Sequence, residues 1–328
     1  MKKLNNLNKY QNCRNPRVSI GVPVFNGENY LKEALNSILS QKYQNFEIII
    51  VDNASTDNTQ QICQYYANKD DRIHYYRNKK NIGATLNFIK VFKLAKGEYF
   101  KWAAYDDVLS PDFLLKCVNI LNQDTSIILC HSRTGHINEC GEVLGYYKFE
   151  NKINSRKLHE RFSAIINDLY NSWVLIFGVI RTDSLKNSRL FGNFVGADKI
   201  LVAELGLIGR MYEIPECLFY RRTHKQAYTE TKRTQDSSTK LRWWTQSGRI
   251  NFPNFKILIE YFRSIRQVPM RFNERFLCYI HTFRWFLQKG WILICFDVGT
   301  NLLEYVRLGS KFQTYVRSIA KLMHFSEI

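Results

Sequence analysis

Several features that would assign a protein to a membrane or secreted class are missing from this sequence. None of its apolar runs reaches the roughly 18 residues that a membrane-spanning helix needs; the closest, Trp291 to Phe296, ends at Asp297. The start, MKKLNNLNKYQNC, has lysines but no apolar stretch, so no signal peptide is predicted. None of the eight cysteines forms a CxxC pair. This usage favours reduced, buried thiols in a cytoplasmic protein over a disulfide framework or a zinc site.

Acidic residues are scarce relative to basic ones. The 328 residues include 29 Asp and Glu against 47 Lys and Arg, a formal net charge of +18. Such a balance implies an anionic partner: nucleic acid, an anionic membrane surface or a phosphorylated substrate. Residues 231–328 hold 16 Lys and Arg against 6 Asp and Glu, about three times the charge density of residues 1–230. We therefore expect a polar lead-in over 1–16, a main domain over 17–230 and a basic, aromatic-rich helical region over 231–328.

Strands and helices alternate in the first third of the chain. Helical patterns, such as Ala84–Ala95, separate β-rich apolar runs at Val18–Val24, Phe46–Val51, Arg72–Arg77 and Glu98–Ala104. Alternation with short loops predicts an α/β fold: a doubly wound, mostly parallel sheet flanked by helices. In such sheets ligands bind at the carboxyl ends of the strands.

The later pattern is less regular. Ser126–Ser132 is typical of another strand, and residues 155–170 and Lys199–Leu207 are typical of helices. Beyond residue 230 the pattern favours amphipathic helices rich in Trp and Arg. The sequence therefore predicts a C-terminal helical extension on the α/β domain.

Acidic residues follow two of the predicted strands. Asp52 ends the run IIIVD, and Asp106 and Asp107 follow EYFKWAAY. A strand-end carboxylate can accept hydrogen bonds from a nucleoside base or ribose, and paired carboxylates can hold Mg²⁺ or Mn²⁺. Taken singly, Asp52 could equally cap the next helix, and Asp106 with Asp107 could form a solvated turn.

Four segments carry a more specific signal when taken together. In order, they are VSIGVPVFNGENYLKEALNSILSQ, FEIIIVDNASTDNT, NIGATLN and KGEYFKWAAYDDVLSPDFL. Their order and spacing resemble the family-2-type glycosyltransferases of the GT-A fold, over about residues 17–225. The resemblance implies an inverting enzyme that takes its sugar from a nucleotide-diphosphate sugar, with Mn²⁺ or Mg²⁺ as cofactor.

The resemblance also assigns donor-site roles to individual positions. Asp52 matches the acid that contacts the base or ribose, and Asp106 matches the metal-binding carboxylate of a DxD-type motif. The family often has an Asp two positions before it, but Ala104 stands there, so a bound metal would take more water and phosphate ligands. The full set implied to bind nucleotide is Pro23, Val24, Phe25, Glu28, Asp52, Asn81, Gly83, Asp106, Asp107 and Arg222.

A later segment, FVGADKILVAELGLIGRMYEIPECLFYRRTH, matches the family's acceptor side. Asp198 matches the acid that faces the acceptor and is our candidate general base; the alternative is an acid that only satisfies the helix dipole. His224 matches a group that binds metal or pyrophosphate, so the implied metal ligands are Asp106 and His224. Arg221 and Arg222 match phosphate-binding positions, although a solvated basic turn would have the same sequence.

The C-terminal region mixes tryptophan with arginine. This composition suits an interfacial helix on an anionic bilayer, but equally an amphipathic bundle that covers the domain and leaves its cations in water. The first interpretation predicts a peripheral protein on the inner face of the membrane, with a glycan or lipid-linked acceptor. The residues concerned are Trp243, Trp244, Trp285 and Trp291, with Arg242, Arg249, Arg263, Arg266, Arg271, Arg275 and Arg284.

We therefore predict a glycosyltransferase of surface polysaccharide or glycoconjugate synthesis, with three alternatives. A nucleic-acid-binding protein would explain the charge but would leave the four motifs unexplained, and we expect no nucleic-acid partner. A scaffold that keeps the fold without turnover is suggested by Ala104. A nucleotidyltransferase would normally have a Gly-rich basic loop after the first strand, and VPVFNGENY supplies none.

Overall fold

The first half of the molecule is a parallel sheet. A computed structural model describes residues 16–147, 151–168, 172–225 and 252–306. In the order β3-β2-β1-β4, neighbouring strands run parallel. Every residue of β1 and β2 is buried, as expected of apolar runs covered on both faces. The bounds are β1 Val18–Val24, β2 Phe46–Asp52, β3 Ile73–Arg77 and β4 Tyr99–Trp102.

The second half continues the sheet with mixed polarity. Past β4 the order is β8-β6-β9-β5, with β7 paired to β6. β8 is antiparallel to both β4 and β6, whereas β6 and β9 are parallel. The predicted α/β sheet is thus confirmed, and its parallel part is concentrated in β1–β4. These strands are β5 Val108–Leu109, β6 Ile127–Ile137, β7 Val143–Tyr146, β8 Val179–Arg181 and β9 Arg210–Arg222.

β9 has no clean strand signal in the sequence because it contains Pro215. The structure accommodates this proline in a bulge: Ser132 of β6 pairs with Ile214, and the next residue, Arg133, pairs with Cys217. Proline has no N–H to donate, and a residue in a bulge does not have to form a hydrogen bond of the sheet. β9 therefore continues to Arg222, whose position matters for the site.

Helices flank this sheet. The helical patterns predicted at 84–95, 155–170 and 199–207 are confirmed, with small shifts at their ends. The apolar stretch 173–180 is divided between a 3₁₀ turn, Ser172–Phe177, and β8. The helices are α1 Leu31–Leu39, α2 Thr59–Ala67, α3 Ala84–Lys93, α4 Phe113–Gln123, α5 Leu158–Asn167, α6 Thr182–Lys186 and α7 Ala197–Ile208, with a further 3₁₀ turn at Asn151–Asn154.

The C-terminal extension is helical over the residues that the structure describes. It comprises α8 Pro253–Gln267, α9 Phe272–Trp285, a π-helical turn Phe286–Gly290 and α10 Trp291–Val306. None of the helices placed by the structure is long and apolar enough to cross a bilayer. Trp243, Trp244, Arg242, Arg249 and the predicted boundary at residue 230 lie outside the described residues. The division at 230 stays a prediction.

α8 packs directly on the α/β domain. Tyr261 is buried and its ring lies 5.9 Å from that of Phe162 on α5. Arg189 joins the two parts electrostatically: its Nε donates to Glu204 of α7 at 3.0 Å, and it also pairs with Glu260 of α8. Both carboxylates are buried, so their shared cation offsets the cost of removing them from water. α8 thereby supports α7.

Lys101 is a charged residue at the centre of the sheet. It lies on β4 with no solvent exposure, and its ammonium donates to the carbonyl oxygens of Trp102, at 3.1 Å, and of Phe177. The rings of Phe113 and Phe219 lie 4.8 and 5.0 Å from Nζ. Burial lowers the pKa of Lys101 to about 7, because water no longer solvates the charged form.

This pKa predicts a pH-dependent stability. The unfolded lysine titrates near ~10.4, so between pH ~7 and ~10 the unfolded state binds more protons and stability rises with pH. We expect Lys101→Met to raise the free energy of unfolding at pH ~6, and this gain to shrink by roughly 3 kcal/mol as the pH approaches ~10. Urea unfolding over this range measures it. Lys93→Met, at an exposed position, is the matched control, and parallel wild-type and Lys101→Met curves would contradict the prediction.

Candidate active site

A cavity of about 590 Å³ opens at the carboxyl ends of β1, β2 and β4. This is the edge at which α/β sheets bind ligands. Thirteen residues were implied to form the site, and eleven of them line this cavity. Asp52 and His224 lie behind the wall. The eleven are Pro23, Val24, Phe25, Glu28, Asn81, Gly83, Asp106, Asp107, Asp198, Arg221 and Arg222.

The loop after β1 forms one wall and is tied to the start of α2. The amide of Gly27 donates to Thr59 Oγ1 at 2.8 Å, and Asn58 donates through its own amide to Glu28 Oε2 at 3.0 Å. Asn26 adopts a left-handed backbone with φ 51°, which asparagine tolerates better than most residues. These contacts hold Phe25 and Glu28 at the rim.

Asp52 lies beneath this wall. Its carboxylate has no exposure and accepts hydrogen bonds from the Ser55 amide at 2.8 Å and the Tyr75 hydroxyl at 3.0 Å. It also pairs with Arg77. In this arrangement Asp52 stabilises the end of β2, while its neighbours Asn53 and Asp57 face the cavity. Its contact with a base or ribose stays a prediction.

An asparagine cluster positions the loop before α3. Asn53 donates to Asn81 Oδ1 at 2.8 Å, and the same oxygen accepts the amide of Gly83 at 2.8 Å. Gly83 has φ 86° and ψ 159°, a combination that only glycine adopts readily. Asn87 donates to the Val51 carbonyl at 2.9 Å. Asn53 and Asn87 belong to two of the sequence motifs but were not predicted as site residues. A motif does not show which amide side chains contact one another in the fold.

His224 holds the metal-binding candidate Asp106. Its Nε2 lies 2.9 Å from Asp106 Oδ2, and its ring centroid lies 4.6 Å from that of Tyr30. The histidine side chain is 2% exposed and the carboxylate 14%. Asp106 therefore presents to the cavity, while His224 supports it from behind. Residues 118 positions apart in the chain meet because β9 ends beside the loop after β4.

Arg222 stabilises the loop after β4 from inside the protein. Its amide donates to Asp107 Oδ1 at 3.0 Å, and its Nε donates to the Asp106 carbonyl at 3.0 Å. The residue is 2% exposed. Arg221 is the more accessible of the two: its guanidinium lies 4.8 Å from the Trp173 ring centroid, and it donates to the Tyr147 hydroxyl at 2.5 Å. Arg221 is thus the better-placed group for an anionic ligand.

The carboxylate pair is electrostatically poised for a cation. Burial, reinforced by the adjacent charge of Asp106, raises the pKa of Asp107 well above its usual range. Added positive charge at this position would favour the ionised form of Asp107. Among the placed residues, no group of three His, Cys, Asp or Glu side chains converges on one point. Asp106 would offer a carboxylate oxygen to Mn²⁺ or Mg²⁺, with phosphate oxygens and water as further ligands. A metal-binding role for His224, which lies behind Asp106, stays a prediction.

Asp198 lines the same cavity and comes from α7 rather than from the strand-end loops. It lies in the first turn of α7, and Oδ1 accepts the amide of Lys199 at 2.8 Å. Gly196, with φ 88°, turns the chain into α7 and packs against Ile257 of α8. Aromatic side chains also line the cavity, and no motif in the sequence indicated them. They include Phe88, Trp173, Phe177 and Phe191.

Comparison with known proteins places this arrangement in a family. Residues 19–181 match the model of glycosyl transferase family 2. Through this domain the chain belongs to that family. An uncharacterized glycosyltransferase of Rickettsia typhi is 33% identical over 167 residues, covering 51% of each chain. The chain thus spans about half the length of this curated relative, and less of some others.

Solved structures support the fold. The crystal structure of Staphylococcus aureus TarS 1–349 with UDP-GlcNAc superimposes with a TM-score of 0.52 at 19% identity, over 77% of this chain and 82% of that one. The mannosyltransferase PcManGT from Pyrobaculum calidifontis, in complex with GDP-Man and Mn²⁺, gives 0.54 at 16% identity, over 95% and 81%. At this identity the likeness concerns the GT-A fold alone.

Proposed function

We propose that this chain transfers a sugar from a nucleotide-diphosphate sugar to an acceptor hydroxyl, with inversion at the anomeric carbon. One observation carries the proposal: a single cavity is lined by both Asp106, backed by His224, and Asp198. A group that stabilises a leaving diphosphate and a group that accepts a proton are both needed for this reaction.

The donor would occupy the half of the cavity formed by the strand-end loops. Asn53, Asn81 and Gly83 line the part of the cavity that would meet the nucleoside, and Phe25 offers an apolar surface to its base. Two structural relatives were solved in complex with UDP-GlcNAc and with GDP-Man, which supports a nucleotide-sugar donor here. Asp57 lines the same half and would accept hydrogen bonds from ribose hydroxyls.

The diphosphate would lie against Asp106. A bound Mn²⁺ or Mg²⁺ would neutralise the charge that develops on the leaving group. Asp106 and His224 would hold that ion. Arg222 holds the Asp106 backbone and the Asp107 carboxylate in place through two of its hydrogen bonds, and Arg221 would contact a phosphate oxygen directly.

Asp198 would take the proton of the acceptor hydroxyl. It reaches the cavity from α7 rather than from the loops that would hold the donor, and we propose that the acceptor attacks from the face away from the diphosphate. Attack from that face inverts the anomeric centre. The aromatic wall of Trp173 and Phe191 offers flat apolar surfaces to a sugar ring, which favours a glycan or lipid-linked acceptor of polysaccharide or glycoconjugate synthesis. A cytoplasmic location stays a prediction from the cysteine pattern.

Calorimetric titration with UDP, GDP, ADP, CDP and dTDP, each with and without Mn²⁺, tests the donor site. We expect one nucleotide to bind with a Kd in the micromolar range, and Mn²⁺ to tighten that binding. A folded protein that binds none of them would contradict the proposal. It would favour a scaffold without turnover instead, an alternative suggested by Ala104, which supplies no carboxylate where the family often has one.

A further inference from the structure

The C-terminal helices expose an unusual amount of apolar surface. Residues 252–306 make up about a fifth of the described chain, yet carry ten of its 17 exposed large apolar side chains. Phe272 is 83% exposed, and Phe276 and Phe283 are each more than half exposed. Concentrations of this kind mark surfaces that meet a partner or a membrane.

Six of the ten exposed apolar side chains of residues 252–306 form one stripe along a single helix. α9, the π-helical turn and α10 follow one another without a break from Phe272 to Val306. In an ideal α-helix of 3.6 residues per turn, the exposed positions would drift around the helix axis by about 80° from the first of them to the last. A π-helical turn winds less per residue, so the turn at 286–290 brings the later positions back toward the same side. The stripe consists of Phe272, Phe276, Phe283, Leu287, Trp291 and Val298.

The exposed charge around the stripe is positive. Among residues 252–299, whose side chains are described, the carboxylates are turned inward. Glu260 and Asp297 are each 3% exposed, and Glu274 accepts the amide of His159 at 2.9 Å. Asp297 accepts hydrogen bonds from Asn254 at the start of α8. The exposed charged side chains of α8 and α9 are by contrast Arg263, Arg266, Arg271 and Arg284.

We propose that this stripe, with its flanking arginines, docks the protein on an anionic lipid bilayer. The helix from Phe272 to Val306 would lie in the plane of the interface, with its aromatic side chains below the headgroups and its arginines among the phosphates. Apolar surface alone would suit a second protein copy equally well. The all-cationic rim favours the bilayer, because two copies would bring like charges together. The proposal does not depend on the identity of the donor or of the base.

Vesicle flotation tests both components. We expect the protein to float with phosphatidylcholine vesicles containing about one third phosphatidylglycerol, and not with phosphatidylcholine alone, at ~0.1 M salt. Phe272→Ser/Phe276→Ser/Phe283→Ser should weaken binding at least about tenfold. Arg271→Gln/Arg284→Gln should weaken it by about tenfold or more. The matched control, Tyr65→Ser/Tyr76→Ser, removes exposed aromatics elsewhere and should bind as wild type does.

A fluorescent label tests the orientation without changing the stripe's aromatics. Cys295 is exposed on α10, and Cys140 is exposed in the turn between β6 and β7. In a variant with Cys13 and Cys140 replaced by serine, the emission of an environment-sensitive dye on Cys295 should shift to the blue on anionic vesicles. In a variant with Cys13 and Cys295 replaced by serine, the emission of the same dye on Cys140 should not shift.

Two outcomes would overturn the proposal. One is the absence of vesicle binding, or binding that the phenylalanine and arginine substitutions leave unchanged. The other is a concentration-dependent dimer, measured by sedimentation, that the phenylalanine substitutions abolish while vesicles have no effect. That result would assign the face to a second copy. Nucleotide titration of the same variants separates these outcomes from a failure of the proposed transferase function.

Discussion

Asp198→Asn is expected to lower kcat for sugar transfer by about 10²- to 10⁴-fold, the usual contribution of a general base. Asparagine keeps the size of the side chain and can still accept the Lys199 amide, but it cannot take the acceptor's proton. Nucleotide affinity should stay within about twofold of wild type, because Asp198 belongs to α7 and not to the loops that would hold the donor. Transfer assays with the nucleotide sugar identified by calorimetry, together with nucleotide titration, measure both quantities.

This substitution also tests the purely structural interpretation of Asp198. An acid that only complements the dipole of α7 would contribute about 0.3–1 kcal/mol to stability. Its loss would lower the Tm slightly and leave kcat nearly unchanged. Asp183→Asn provides the matched control, since Asp183 also lies in a first helical turn but is 88% exposed on α6. Near-normal turnover in Asp198→Asn would show that our assignment of the base is wrong.

Asp106→Asn is expected to remove the effect of Mn²⁺ on nucleotide binding, lowering the metal-enhanced affinity by about 10- to 100-fold. Asparagine can keep the hydrogen bond to His224, so the loop should hold its shape. What is lost is the negative charge, on which a hard cation depends. Calorimetric titration of the bound nucleotide, with and without Mn²⁺, measures the difference directly.

A control and a contrary outcome complete this test. Asp112→Asn removes a carboxylate close in sequence that pairs with Lys42 at 2.9 Å on the surface, outside the cavity, and should bind nucleotide and metal normally. An Asp106→Asn protein with full Mn²⁺ enhancement would place the metal, if the enzyme uses one, on other groups. A variant that lost nucleotide binding even without metal would point to damage of the loop, which a thermal melt would reveal.

Much of the first half of the fold can be predicted from the sequence because its signals are local. β1 and β2 are apolar runs of about strand length, and α1 repeats buried leucines at helical spacing. Loops after such strands must meet at one edge of a parallel sheet. That is why the eight predicted residues at the ends of these strands and in the loops after them line one cavity.

Contacts between distant segments could not be predicted from the sequence. The meeting of His224 with Asp106 depends on the pairing of β9 with β5, and β9 is interrupted by Pro215. The burial of Asp52 under Arg77 and Tyr75, and the inward position of Arg222, likewise depend on how neighbouring loops pack. No pattern of letters distinguishes a carboxylate that faces a ligand from one that supports the wall behind it.

The same division applies to the C-terminal region. Its basic and aromatic composition is a property of the sequence, and it left a membrane surface and a covering bundle equally open. Burial decides which side chains serve which purpose. Ile257, Tyr261 and Trp285 enter the core, whereas Phe272 and Phe276 remain outside with the arginines. Local pattern determined the strands, helices and motifs of this protein, because each depends on near neighbours. Only the tertiary structure decided which charges pair, which acids face the cavity and which aromatics meet solvent, because those outcomes depend on long-range packing.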